Sequence, residues 1–133
     1  MTTAPAATVV TGVDFVSVPT RDLERAVAFY GETLGLHRSV YRPERNFAEF
    51  ETGTVTFNVL NPEGMGIGSF TPNPNFFALH VEDVAEARAA LEERGVTFNG
   101  DIFDTGVCHM AFFTDPDGNA LMLHHRYAER RTD

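Results

Sequence analysis

Two stretches of this chain, 14–30 and 75–91, carry the same pattern, and a chain that repeats a unit is constrained to fold that unit twice. The first stretch runs Asp14-Phe15-Val16-Ser17-Val18-Pro19 and continues through Asp22-Leu23 to Phe29-Tyr30. The second runs Asn75-Phe76-Phe77-Ala78-Leu79-His80 and continues through Asp83-Val84 to Ala90-Leu91. An offset of 76 − 15 = 61 positions sets Phe15 on Phe76, Asp22 on Asp83, Ala26 on Ala87 and Ala28 on Ala89.

Each copy changes period partway along. Phe77, Leu79 and Val81 alternate with Phe76, Ala78 and His80, which predicts a strand with two distinct faces. After Asp83, a good helix N-cap, Val84, Ala87 and Leu91 recur at helical spacing, and Gly95 suits a left-handed C-terminal position. In the first copy Asp22 opens the helix, Leu23, Ala26, Val27 and Tyr30 form its buried stripe, and Gly35 follows its end.

Each helix then needs a sheet, and two hairpins supply them. Phe47–Glu51, Thr52-Gly53 and Thr54–Leu60 form the first; Val55, Phe57 and Val59 take the helix side, and Thr54, Thr56 and Asn58 the other. The second runs Val107–Phe113, turns through Asp115-Pro116-Asp117-Gly118, and returns as Ala120–His124. With a further strand near Val96–Phe103, each half reads strand, helix, three strands. The fold class is α+β: two tandem βαβββ modules forming a cupped mixed sheet around a cleft. Residues 1–12 are a leader, 13–60 and 75–126 the modules, 61–74 the connector and 127–133 a tail, all within one structural domain. The connector has Gly64, Gly66, Gly68, Pro72 and Pro74, so no helix is expected in it; Met65 and Phe70 close over the cleft or serve only as linker.

This order of elements, with Phe29-Tyr30 ending the first helix, Leu34-Gly35-Leu36 after it and Asp115-Pro116-Asp117-Gly118-Asn119 before the last strand, resembles the vicinal oxygen chelate superfamily. That is the glyoxalase, bleomycin-resistance and extradiol-dioxygenase family. The resemblance runs from about Val13 to His125 and implies a homodimer. In metal-using members the first strand of each module carries a histidine or glutamine and the last strand a carboxylate or other ligand. Carried over by position, these fall here on Phe15, Phe76, Asn58 (Phe57 if the register slips by one) and Met122.

Two aromatics, an amide and a thioether do not make a site for a divalent ion, which needs imidazole and carboxylate donors. No metal and no other cofactor is expected at these positions. A relocated site on the inward pair His80 and His124 has no inward carboxylate to complete it. His37, His109 and His125 read as half-exposed residues bonded to backbone.

The inward positions instead form a second apolar surface. The expected ligand-binding set is Phe15, Ser17, Phe47, Glu49, Asn58, Phe76, His80, Met110, Phe112, Met122 and His124, mostly apolar with a few polar fixtures. Arg38, Arg42 and Arg45 either guide a polar part of the ligand or solvate a loop. A net charge of −9 excludes nucleic acid as a partner and favours neutral or cationic ligands. The lone Cys108, and a start with no basic segment or long apolar run, point to the cytoplasm and away from membranes.

The function expected from this is metal-free binding of an apolar or aromatic compound such as an antibiotic, as in the drug-binding branch, with no catalytic residue. The alternative is an enzyme of the same superfamily, a lyase, isomerase, epimerase or dioxygenase-like protein. It would use a relocated metal or acid–base chemistry of Glu49, His80 and His124. A third reading is a structural dimer whose cleft is filled by its own side chains.

Overall fold

The computed structural model of the chain describes residues 6–130; the outer ends of the leader and tail lie outside it. Residues 6–14 run to the first strand without helix or strand. The first module then consists of β1 (Phe15–Pro19), α1 (Leu23–Ala28), β2 (His37–Arg42), β3 (Phe47–Glu51) and β4 (Thr56–Leu60). The second consists of β5 (Phe77–His80), α2 (Val84–Glu93), β6 (Asn99–Asp104), β7 (Cys108–Thr114) and β8 (Ala120–Arg126). The two four-stranded sheets share one order, β1-β4-β3-β2 and β5-β8-β7-β6. In each, the first strand pairs in parallel with the last and the other pairings are antiparallel. The α+β fold of two βαβββ modules is as the repeat predicts.

The helix starts follow from their caps. Asp22 and Asp83 have extended backbones, and their carboxylates accept from the amides of Arg25 and Glu86. After Ala28 the first helix widens into a π-helical turn, Phe29–Thr33, in which the Leu34 amide reaches back to the Phe29 carbonyl at 2.9 Å. The wider turn carries both Phe29 and Tyr30 into the core, so Phe29 joins the expected stripe. Gly95, at φ +94°, ends α2 as expected. The Val96 amide is bonded to the Leu91 carbonyl there, and β6 consequently begins three residues beyond the expected Val96.

The connector holds a correction. Pro62–Met65 forms one helical turn, despite its neighbouring glycines. Pro62 occupies the first turn, where its missing N–H costs nothing, and Asn61 caps it by accepting from the Gly64 amide at 3.0 Å. Further along, Phe70 lies under the Arg21 guanidinium at 4.5 Å.

The modules meet through their helix-side faces. Val18, Tyr30, Phe50 and Val59 of the first and Phe113 and Leu121 of the second are fully buried in one core, and the Phe57 and Phe77 rings sit 5.4 Å apart across the junction. Beside this seam the Asp115–Asn119 turn latches one module to the other. Tyr30 donates its hydroxyl to Asp115 Oδ2 at 2.7 Å, and Thr20 donates to Asp117 Oδ2 at 2.6 Å. Asn119 Nδ2 bonds both the Pro19 carbonyl and Asp115 Oδ2 at 2.8 Å, while its Oδ1 accepts from the Asn73 amide of the connector.

Candidate functional site

Packing the helix sides together leaves large apolar rings on the opposite face of each sheet exposed among the described residues, Phe15 on one and Phe76 and Phe103 on the other. On the first sheet the strand register arranges that face in rows. Ser17 pairs with Asn58 and Asn58 with Glu49; Phe15, Thr56 and Glu51 form the row on one side, and Pro19, Leu60 and Phe47 the row on the other. Phe15 is 54% exposed, unusual for so large an apolar ring.

Two polar groups mark this face. The Asn58 side-chain oxygen is buried yet has no hydrogen-bond partner among the described residues. Glu51 accepts from Ser39 Oγ and from Thr56 Oγ1, and those two bonds hold its carboxyl below the usual carboxylate range, Ser39 contributing most. Glu51 and Thr56 were not among the residues expected from the sequence. The signal was present, since each lies two positions along a strand from an expected residue, Glu49 and Asn58.

On the second sheet Ala78, Met122 and Phe112 form one row, and His80, His124, Met110 and Phe103 the next. Phe76, just before β5, packs edge-on against Phe112 with ring centroids 4.9 Å apart. Phe76 and Phe103 are 47% and 56% exposed; Phe103 too was missed, because the bulge between Asn99 and Phe103 breaks the alternation that would have placed it. His80 turns away from its expected place in the cleft. It ends the strand, its Nε2 lies 3.1 Å from Glu82 Oε1, and its ring stands 5.9 Å from that of His125.

The register also fixes which positions are equivalent. Ser17 pairs with Asn58, and 17 + 61 = 78 is Ala78, which pairs with Met122. Asn58 and Met122 are therefore counterparts on their sheets, while Phe57 is core. The four positions to which the resemblance assigns metal ligands carry Phe15, Asn58, Phe76 and Met122, and these do not fit an ion. Neither phenyl ring has a donor atom, and a thioether and a neutral amide cannot hold a hard or borderline divalent ion.

The expected residues thus divide between two open faces, Phe15, Ser17, Phe47, Glu49 and Asn58 on one and Phe76, Met110, Phe112, Met122 and His124 on the other. The strand pairings and the Phe76–Phe112 ring contact that join them each lie within one sheet. An apolar cavity of about 490 Å³ lies instead at the module junction, lined by Leu34, Leu36, Val55, Leu79 and Leu91. Arg38 and Arg42 point to opposite sides of the first sheet. Arg38 pairs with Phe50 on the helix side and covers the Tyr41 ring, whereas Arg42 pairs with Phe47 on the open side. Among the described residues no helix is long and apolar enough to cross a membrane.

A sequence model of the Glyoxalase/Bleomycin resistance protein/Dioxygenase superfamily matches residues 12–123. No curated protein matches the chain. Among solved structures, TnmS3, an antibiotic binding protein from Streptomyces sp. CB03234, is 27% identical with a TM-score of 0.74, covering 90% of this chain and 99% of its own. A glyoxalase/bleomycin resistance protein from the same strain is 28% identical with a TM-score of 0.67, covering 86% and 100%. A member of the superfamily from Sphaerobacter thermophilus DSM 20745 is 25% identical with a TM-score of 0.73, covering 88% and 98%. The chain belongs to the glyoxalase/bleomycin resistance protein/dioxygenase superfamily.

Proposed function

We propose that this member of the superfamily binds and sequesters an apolar or aromatic small molecule, such as an antibiotic, without a metal. The observation that carries the reading is Asn58 Oδ1, a buried acceptor with no partner among the described residues, set where a metal user of the superfamily would place a ligand. A buried carbonyl left unpaired costs about 1–3 kcal/mol, and a donor on a bound molecule recovers it. Around that acceptor the surface is what small-molecule sites are made of: Phe15 and Leu60 beside it, and Phe76, Phe112, Met110 and Met122 on the equivalent face. The similarity to an antibiotic binding protein supports the same reading.

The binding cleft on this reading forms in a homodimer, the first sheet of one protomer covering the second sheet of its partner. Each chain alone leaves Phe15, Phe76 and Phe103 about half exposed, and a twofold assembly covers both faces at once. The ionised Glu51 and the acidic chain favour a neutral or cationic ligand. The free, buried Cys108 suits a cytoplasmic protein.

Calorimetry against a panel of hydrophobic natural products, with the ligand recovered and weighed by mass spectrometry, tests the proposal. Binding at micromolar or better with the compound returned unchanged supports sequestration. A converted product would make the protein an enzyme, with Glu49, Glu51 and His124 as the acid–base groups to examine.

A further inference from the structure

Outside the open faces, three side chains with metal-binding chemistry converge at the end of β5. His80 closes that strand, Glu82 lies in the short link to α2, and His125 belongs to the neighbouring strand β8. Their candidate ligand atoms all lie within 4.8 Å of one another. We propose that His80, Glu82 and His125 form a binding site for a borderline divalent transition ion of the zinc class, separate from the positions used by the superfamily's metal enzymes and independent of the ligand-binding reading.

The local fold explains the convergence. The Val81 amide bonds the His124 carbonyl at 3.1 Å, so the chain stays stitched to β8 as it leaves the sheet. The Val81 carbonyl lies 3.1 Å from His125 Nδ1. A proton on Nδ1 directed at that carbonyl leaves the Nε2 lone pair free, the arrangement by which ligating histidines are usually oriented. Glu82 Oε1 already lies 3.1 Å from His80 Nε2, so a carboxylate is in place beside the second imidazole.

The geometry is within reach of coordination. Zinc bonds of about 2.0–2.1 Å in a tetrahedral site put ligand atoms ~3.3 Å apart. The residual gap closes by small side-chain rotations, and the side chains that must rotate are free to do so: His80 is 67% exposed and Glu82 90%. Two imidazoles and one carboxylate leave the fourth position to an exchangeable ligand. Glu82 and His125 also border a cavity of about 410 Å³ that His109 and Tyr127 line, which gives that ligand room. Three protein ligands at the surface make a site on the order of micromolar, much weaker than a closed four-ligand structural site.

The test is zinc titration of untagged protein in competition with a chromophoric chelator, and cobalt titration followed by visible absorption. One equivalent of zinc should bind, and cobalt should give the intense bands of a four-coordinate site. His80→Ala and His125→Ala should each weaken binding at least about 30-fold and Glu82→Gln about tenfold. His124→Ala and His109→Ala should leave it within about twofold. His80 and Glu82 are exposed, so their variants fold whatever happens at His125. Failure to bind one equivalent, unchanged affinity in His80→Ala, or a loss that follows His124 or His109 would overturn the site. None of these results touches the ligand proposal, which is read out by an organic ligand in the absence of metal.

Discussion

Replacing Asp115 by alanine should cost about 3–5 kcal/mol of folding stability, although the residue belongs to a surface-type turn sequence. Its carboxylate accepts four hydrogen bonds, from Tyr30 Oη and Asn119 Nδ2 on one oxygen and from the amides of Asp117 and Asn119 on the other. Asp115, Tyr30 and Asn119 are 4%, 0% and 1% exposed, so water does not take over as acceptor. Truncation strands the Tyr30 hydroxyl and two amides, at roughly 1–3 kcal/mol each before relaxation, while Asn119 Nδ2 keeps the Pro19 carbonyl. Tyr30→Phe strands no donor, and Asp115 Oδ2 keeps Asn119, so its cost should be only about 1–2 kcal/mol. In the double variant the orphaned hydroxyl is gone, and the two changes should couple by about 1–3 kcal/mol. Urea unfolding followed by circular dichroism measures all three. A cost for Asp115→Ala below about 1 kcal/mol, or strict additivity with Tyr30→Phe, would refute the view that this turn latches the modules.

Alkaline stability should respond to the same pair: burial, and then the Asp115 carboxylate, push the Tyr30 phenol well above its usual range. Its contribution is complete below the unfolded pKa of about 10 and declines as pH rises toward the folded value, so stability curves should steepen above about pH 10 in the wild type and flatten in Tyr30→Phe. Phe76→Ala should weaken the apolar ligand by about 1–3 kcal/mol in calorimetry, through lost ring contact. Phe76→His should still yield no stoichiometric metal at its own level by elemental analysis of protein with His80 also replaced, since Asn58 and Met122 supply no carboxylate. Light scattering should report a dimer, and Phe15→Asp should shift it toward monomer by placing a charge on the face a partner covers; a wild-type monomer at high concentration would leave each open face to ligand alone.

The repeat made the fold legible because strand alternation and helix caps are local. Asp22, Asp83 and Gly95 act where the sequence puts them, and the offset of 61 carries through to the pairing of Ser17 with Asn58 and Ala78 with Met122. What the sequence left hidden depends on bonds whose partners are distant or whose period is broken. The π turn at Phe29–Thr33 carries Tyr30, whose partner Asp115 lies 85 residues away. The bulge before Phe103 hides a ring that faces outward, and the single turn at Pro62 hides behind glycines. His80 follows the strand register in its backbone, as the last residue of β5, while its side chain lies against Glu82 and His125.

The motif that most resembles the superfamily does scaffold work in this chain. Asp115, Asp117 and Asn119 spend their polar atoms on Tyr30, Thr20, Arg25, Pro19 and Asn73, holding one module to the other and to the connector. None of those bonds involves Phe15, Asn58, Phe76 or Met122, the positions to which the resemblance assigns metal ligands. The absence of metal donors at Phe15, Asn58, Phe76 and Met122 therefore leaves the latch and the shared core intact, since Val18, Phe57, Phe77 and Leu121 lie on the opposite, core side of the same sheets. Chemistry and framework are carried by alternate residues. A strand can exchange an imidazole for a phenyl ring on its open side without repacking the side that folds it, and that physical separation lets one architecture serve as a metal enzyme in some members and, on the reading proposed here, as a binding surface in this one.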